Sequence, residues 1–118
     1  MADKRRIDRL EQQLRIELGT LVESALEDPR IGTIGITEVR LSGDMRHARV
    51  CVSTLGDAKG RADTLAGLAS ARGFLRRQLS QRLPHLRRTP ELTFGYDKSV
   101  EKGMRVEELI DKMHSSQQ

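Results

Sequence analysis

Apolar residues in the first part of the chain recur at the spacing of an amphipathic helix. Over residues 4–27 they follow each other at intervals of three and four, which places them along one helix face. They are Ile7, Leu10, Leu14, Leu18, Leu21, Val22 and Ala25. Asp28 and Pro29 predict the end of the helix, because the residue before a proline is disfavoured in the α region. We expect the apolar face to pack on a sheet formed by the strands that follow.

Residues 32–41 and 48–53 predict two β-strands, because β-branched and apolar residues alternate there with polar ones. Between them, Ser42-Gly43-Asp44 is a turn sequence, so the two strands are expected to form an antiparallel hairpin. Within the first strand the alternation changes phase, which predicts a β-bulge near Thr37 and Glu38.

Helical spacing returns beyond a loop at residues 55–60, and renewed alternation predicts a third strand at 91–97. Residues 99–113 predict a terminal helix. The order of elements is therefore α-β-β-α-α-β with one additional helix at the end. This order indicates a single α+β domain over residues 1–113, followed by a short polar tail at 114–118.

The middle helical segment contains a conflict between its apolar stripe and its arginines. A straight helix over residues 62–83 would place Arg72 and Arg76 inside the stripe, where an unpaired charge is costly. Gly73 is poorly suited to a helix interior, so it predicts a kink that moves Arg72 to an exposed junction and Arg76 to the edge. Ala71 is small enough for two helices to cross closely at this point.

Basic charge is concentrated in the same region. Residues 72–88 carry six arginines and no carboxylate, whereas residues 1–71 carry 11 basic and 11 acidic side chains. Residues 89–118 carry 4 basic and 6 acidic side chains, so the net charge of +4 comes entirely from the 17-residue segment. Such a segment favours binding to a polyanion, most simply a nucleic-acid backbone, over a merely solvated helix face.

Other features of the composition restrict the chemistry of the chain. The aromatic residues are Phe74, Phe94 and Tyr96, too few to stack several bases, so RNA binding would rest on phosphate, sugar and shape contacts. The three histidines and the single cysteine show no metal-ligand spacing, and we expect no metal, cofactor or catalytic residue. No apolar stretch approaches the ~20 residues that span a bilayer, and the N-terminus lacks the apolar part of a secretory signal. We therefore expect a cytoplasmic protein without a membrane partner.

Two helices around a small-residue corner, with strands on either side, are typical of a KH domain of the type II order. The usual GxxG loop of such domains is replaced here by Ala71-Arg72-Gly73. Together with five further segments, this corner resembles the ribosome-binding factor A family of bacterial small-subunit maturation factors. In chain order, the matching segments are 28–30, 39–44, 48–50, 71–76, 86–94 and 97–99.

The resemblance implies a KH-like fold with a kinked helix pair and a non-enzymatic factor that binds the free small ribosomal subunit. Such a factor would assist late maturation of small-subunit rRNA, including its 5′ end. The expectations also include a monomer, a role in cold adaptation, and assembly GTPases on the same particle as further partners. The expected RNA-binding residues are Ala71, Arg72, Gly73, Arg76, Arg77, Arg82, Arg87 and Arg88, together with Lys4, Arg5 and Arg6.

Two other functional classes compete with this interpretation. A basic protein-interaction module that does not contact RNA is the main alternative, and its binding would depend little on salt. A small nuclease ranks last, because clustered carboxylates for metal ions are missing from the sequence.

Overall fold

The computed structural model describes residues 3–54 and 58–96, and their elements follow the predicted order α-β-β-α-α-β. The elements are α1 Lys4–Ser24, β1 Ile34–Leu41, β2 His47–Thr54, α2 Ala58–Ser70, α3 Arg72–Arg82 and β3 Glu91–Tyr96. The predicted α+β class is confirmed. The helix predicted at 99–113 and the tail at 114–118 lie outside the described residues.

Helix α1 buries the face that its apolar spacing predicts. Leu14, Leu18 and Leu21 are fully buried, whereas Ile7 near the N-terminus is half-buried. The helix packs mainly on β1 and α3. It ends at Ser24, earlier than the predicted residue 27, and the chain then turns before it reaches the proline.

The three strands form one sheet in the order β1-β2-β3. Strands β1 and β2 pair antiparallel, and their register shifts between Ile36 and Glu38, which confirms the predicted hairpin and bulge. Strands β2 and β3 pair parallel, so the chain must cross from one end of the sheet to the other between them. Helices α2 and α3 make this crossover. The corner between them therefore lies within the connection from β2 to β3.

The helical break is confirmed, but its predicted cause is wrong. Helix α2 ends at Ser70 and α3 begins at Arg72, so the interruption lies at Ala71, with φ −85° and ψ 0°. The Ala71 N–H donates to the carbonyls of both Gly67 (3.0 Å) and Leu68 (3.1 Å). Gly73 lies in the first turn of α3, and no described glycine has a positive φ. A single residue with ordinary backbone angles suffices for the break, so glycine is not required for it.

Gly67, by contrast, is a position where the packing excludes a side chain. A Cβ built on Gly67 would lie 2.6 Å from Cγ1 of Ile31, in the loop between α1 and β1. A Cβ on Gly73 would meet only Nη1 of Arg77, at 3.7 Å. The close approach at Gly67 lets α2 pack against this loop, where the Thr64 hydroxyl also donates to the Arg30 carbonyl at 3.4 Å.

We expect Gly67→Ala to lower the melting temperature and Gly73→Ala to leave it unchanged or raise it. Both changes improve helix propensity, by up to about 1 kcal/mol in a helix interior. At Gly67 the added methyl group also overpacks the contact with Ile31, which typically costs about 1–3 kcal/mol. Thermal unfolding of the two variants side by side measures the difference. A Gly67→Ala protein as stable as Gly73→Ala would show that the loop around Ile31 moves away freely.

Candidate nucleic-acid interface

The corner between α2 and α3 presents the N-terminus of a helix without a cap. Ala71 packs against the core and offers no side-chain hydrogen bond, and the first turn of α3 contains no acidic residue. The first N–H groups of a helix have no partner within it, and the helix dipole makes this end positive. Arg72, the first residue of α3, is exposed there. This end of α3 is suited to an anion such as a phosphate group.

Arg77 adds a second guanidinium group near the same helix end. Its Nη1 atom lies 3.7 Å from the position that a Cβ on Gly73 would occupy, so the side chain folds back along the first turn of α3. A side chain at Gly73 would contact this guanidinium group, so Gly73 lets Arg77 lie beside the helix terminus, which is a different role from the one predicted for it. Arg77 itself is exposed.

Arg76 is held by contacts within the protein. Its Nε donates to the Pro90 carbonyl at 3.1 Å, and its Nη2 donates to the Thr89 carbonyl at 2.9 Å. Its Nη1 lies 3.3 Å from Oε1 of Glu91, and the side chain is 34% exposed. Arg76 thus fixes the segment that enters β3. It is partly buried, at the edge of the apolar face of α3 as predicted, but its charge is paired with Glu91.

Arg82 is likewise paired. Its Nη1 lies 3.1 Å from Oε1 of Glu17 on α1, so it joins the C-terminal end of α3 to the first helix. The roles of Arg76 and Arg82 in RNA binding remain predictions, and their internal contacts show that each has a structural role as well.

Four of the six arginines are exposed and unpaired, and we call them the exposed arginines. Within residues 3–54 and 58–96, their side chains form no ion pair or hydrogen bond with the protein. They are Arg72, Arg77, Arg87 and Arg88. The first two lie on α3, and the last two lie in the bend between α3 and β3. Their guanidinium groups remain available for a polyanion, and bidentate phosphate contacts are the strongest that they can make.

The predicted N-terminal basic group lies in the first turn of α1. Lys4, Arg5 and Arg6 are all exposed there. Arg6 lines a surface depression together with His85, so the N-terminal group reaches the bend that follows α3. Arg9 lines the same depression and was missed by the sequence analysis, although its position three residues after Arg6 places it on the same helix face.

The aspartates Asp28 and Asp44 accept hydrogen bonds within turns. Arg30 donates to Asp28 through its side chain and its backbone N–H, and these hydrogen bonds hold the pKa of Asp28 below its ordinary value. The hydroxyl of Ser42, followed by the N–H of Arg46, lowers the pKa of Asp44 in the same way.

Residues 3–54 and 58–96 contain no group of three or more His, Cys, Asp or Glu side chains arranged to hold a metal ion. No helix in those ranges has the length and apolar character that crossing a membrane requires.

Comparison with known proteins identifies the family of the chain. The sequence model of the ribosome-binding factor A family matches residues 6–110. The chain belongs to the ribosome-binding factor A family. The matched range contains the α2–α3 corner, all six arginines and the Arg6 and Arg9 positions, whereas Lys4 and Arg5 precede it.

Solved structures of ribosome-binding factor A share the fold. The crystal structure of the Thermus thermophilus protein is 33% identical, with a TM-score of 0.67, over 76% of this chain and 94% of that one. The solution NMR structure of a candidate ribosome-binding factor A from Thermotoga maritima is also 33% identical, with a TM-score of 0.71, over 82% and 92% of the two chains.

A third related structure comes from a complex. It is a homology model of the Thermus thermophilus ribosome-binding factor A, fitted into a cryo-EM map of a complex between the 30S subunit and that protein. The model is 33% identical to this chain, with a TM-score of 0.64, over 76% of this chain and 93% of that one.

Proposed function

We propose that this protein is a non-enzymatic assembly factor that binds the free small ribosomal subunit through its rRNA. In this proposal it acts late in assembly, assists maturation of small-subunit rRNA including the 5′ end, and leaves before translation begins. It works as a cytoplasmic monomer, contributes to growth in the cold, and shares the particle with assembly GTPases.

The observation that carries the proposal is the α2–α3 corner. Arg72 and Arg77 lie beside an uncapped helix N-terminus, and Arg87 and Arg88 extend the same basic segment beyond α3. No carboxylate lies within residues 72–88, and four of the six arginines in this segment are unpaired within the described residues, so they attract a polyanion. Membership of the ribosome-binding factor A family and the 30S complex of the Thermus thermophilus relative support rRNA as the polyanion.

Sedimentation provides the direct test. Purified protein mixed with free small subunits and with assembled ribosomes is expected to migrate with the small subunits only. The interaction should weaken steeply as salt increases, because each phosphate contact releases counterions. Association that persists at high salt would favour the alternative, a module that contacts ribosomal proteins and not RNA. Migration with neither particle would overturn the proposal.

Maturation of the rRNA 5′ end requires a separate measurement. We expect cells depleted of this protein to accumulate small-subunit rRNA with an extended 5′ end, which primer extension detects, and more strongly in the cold. Normal 5′ ends in depleted cells, with binding to small subunits intact, would remove the processing step from the proposal while leaving the binding.

A further inference from the structure

The depression that contains Arg6 lies between the start of α1 and the bend that follows α3. Its volume is about 340 Å³, which is within the range of ~300–1,000 Å³ of ligand sites in proteins. The residues that line it are Arg6, Arg9, Leu10, Gln13, His85 and Leu86. We call it the α1–α3 cleft.

Local geometry explains why these residues converge. Arg6, Arg9 and Gln13 follow one another at helical intervals of three and four, so they share a face of α1 with the buried Leu10. On the other side, α3 ends at Arg82 and the Leu86 N–H donates to the Leu83 carbonyl at 3.1 Å. This turn brings His85 and Leu86 against α1.

The charged side chains that line the cleft are arginines, without a carboxylate among them. Arg6 and Arg9 are exposed, no carboxylate lines the cleft, and neither arginine forms an ion pair within residues 3–54 and 58–96. Acidic residues close in sequence to Arg6 and Arg9 include Asp3, which precedes α1, and Asp8. Asp3 accepts from the Arg5 N–H at 3.3 Å, and Asp8 lies about 100° around the helix from Arg9.

The side chains that line the α1–α3 cleft are better suited to bind a sugar–phosphate backbone than a nucleic-acid base. Two guanidinium groups bind phosphate oxygens in a bidentate manner, and the Gln13 amide can bond a ribose hydroxyl. Leu86, which is partly buried, provides an apolar surface for the sugar. The cleft has no Phe, Tyr or Trp on which a base would stack.

The position of the cleft relates it to the α2–α3 corner. The corner is at the N-terminal end of α3 and the cleft is just beyond its C-terminal end. Helix α3 has 11 residues, so its ends are separated by about 15 Å at 1.5 Å per residue.

We infer that the α1–α3 cleft binds a second segment of the RNA backbone whose first segment lies at the α2–α3 corner. The RNA then runs along α3, with Arg87 and Arg88 beside the cleft. This inference rests on the proposed function and adds Arg9, Gln13 and His85 to its binding surface. The footprint on rRNA consequently has two parts, one at each end of α3.

The test is the double change Arg6→Gln and Arg9→Gln, which removes both guanidinium groups from the cleft. We expect the affinity for free small subunits, and for a short single-stranded RNA, to fall about tenfold. The slope of log K against log salt should become shallower by about 1.4, since each single-strand contact contributes ~0.7. Arg6→Lys with Arg9→Lys should recover the salt slope but only part of the affinity, because lysine keeps the charge without the bidentate geometry.

A matched control removes two arginines from a different depression. Arg15 and Arg40 line one that also contains Glu11 and Glu38, and Arg40 is paired with Glu38 at 2.8 Å. We expect Arg15→Gln with Arg40→Gln to bind within about twofold of the wild type at an unchanged slope, because carboxylates already balance those charges. All variants should retain the wild-type melting temperature.

The outcomes separate this inference from the proposed function. If the wild type binds small subunits and the cleft variant binds equally well with the same salt slope, the second RNA segment is excluded and the corner alone carries binding. If the control variant loses as much affinity as the cleft variant, the effect comes from net charge and not from the cleft. A wild type that binds neither small subunits nor RNA would overturn the proposed function and the inference together.

Discussion

The change Leu18→Asp is expected to unfold the protein. Leu18 is fully buried on the face of α1 that packs on β1 and α3. Loss of a buried leucine side chain alone costs about 2–5 kcal/mol. The introduced carboxylate would have no partner in the core, which adds several kcal/mol. Since small domains are stable by only about 5–15 kcal/mol, little or no folded protein should remain.

The same helix provides a matched control in Ile16, which is 56% exposed. Ile16→Asp introduces the same residue two positions away and should leave the melting temperature within a few degrees of the wild type, because it buries no charge. Circular dichroism at 25 °C and thermal melting distinguish the two variants. A folded Leu18→Asp protein with a native melting temperature would show that α1 does not pack as described.

The parts of the fold that were predictable depend on local patterns. The bulge at Thr37 was visible because the alternation changes phase between Ile36 and Val39, and the hairpin pairs the strands across that shift. The buried face of α1 was visible because its spacing of three and four is a property of a few consecutive turns. Such patterns involve only residues that are close in the sequence. They can therefore be interpreted without knowing which distant segments contact each other in the fold.

The parts that were missed depend on contacts between distant segments. The close approach of Gly67 to Ile31 requires the position of a loop that precedes the sheet. The break at Ala71 was assigned to Gly73 because glycine is the stronger local signal, whereas the structure needs only one residue with φ −85° and ψ 0°. No feature of the local sequence marks Ala71 as the residue at which the helix breaks.

The same limit applies to the candidate interface. All six arginines of residues 72–88 were predicted to bind RNA, but two of them are paired with other parts of the chain. Arg76 contacts the segment before β3, and Arg82 contacts Glu17, 65 positions away. Which charges remain available for RNA could therefore be determined only after the fold was known.

The distinction between paired and exposed arginines provides a control for the expected role of the exposed arginines in RNA binding. The paired residues can be changed as Arg76→Gln with Arg82→Gln, which should lower the melting temperature because contacts to β3 and α1 are lost. Binding to small subunits, measured below that temperature, should keep a salt slope close to that of the wild type. These two guanidinium groups already have partners in the protein, so few counterions are released through them.

The complementary change, Arg72→Gln, Arg77→Gln, Arg87→Gln and Arg88→Gln, is expected to have the largest effect on function. The four exposed arginines have no partner within the described residues, so the melting temperature should stay close to that of the wild type. If each contacts one phosphate, the slope of log K against log salt should become shallower by about 3, and the affinity for small subunits should fall about a hundredfold near physiological salt. Binding titrations at several salt concentrations measure both quantities. Equal affinity and equal slope for wild type and variant would move the interface away from α3, towards Lys4, Arg5 and Arg6.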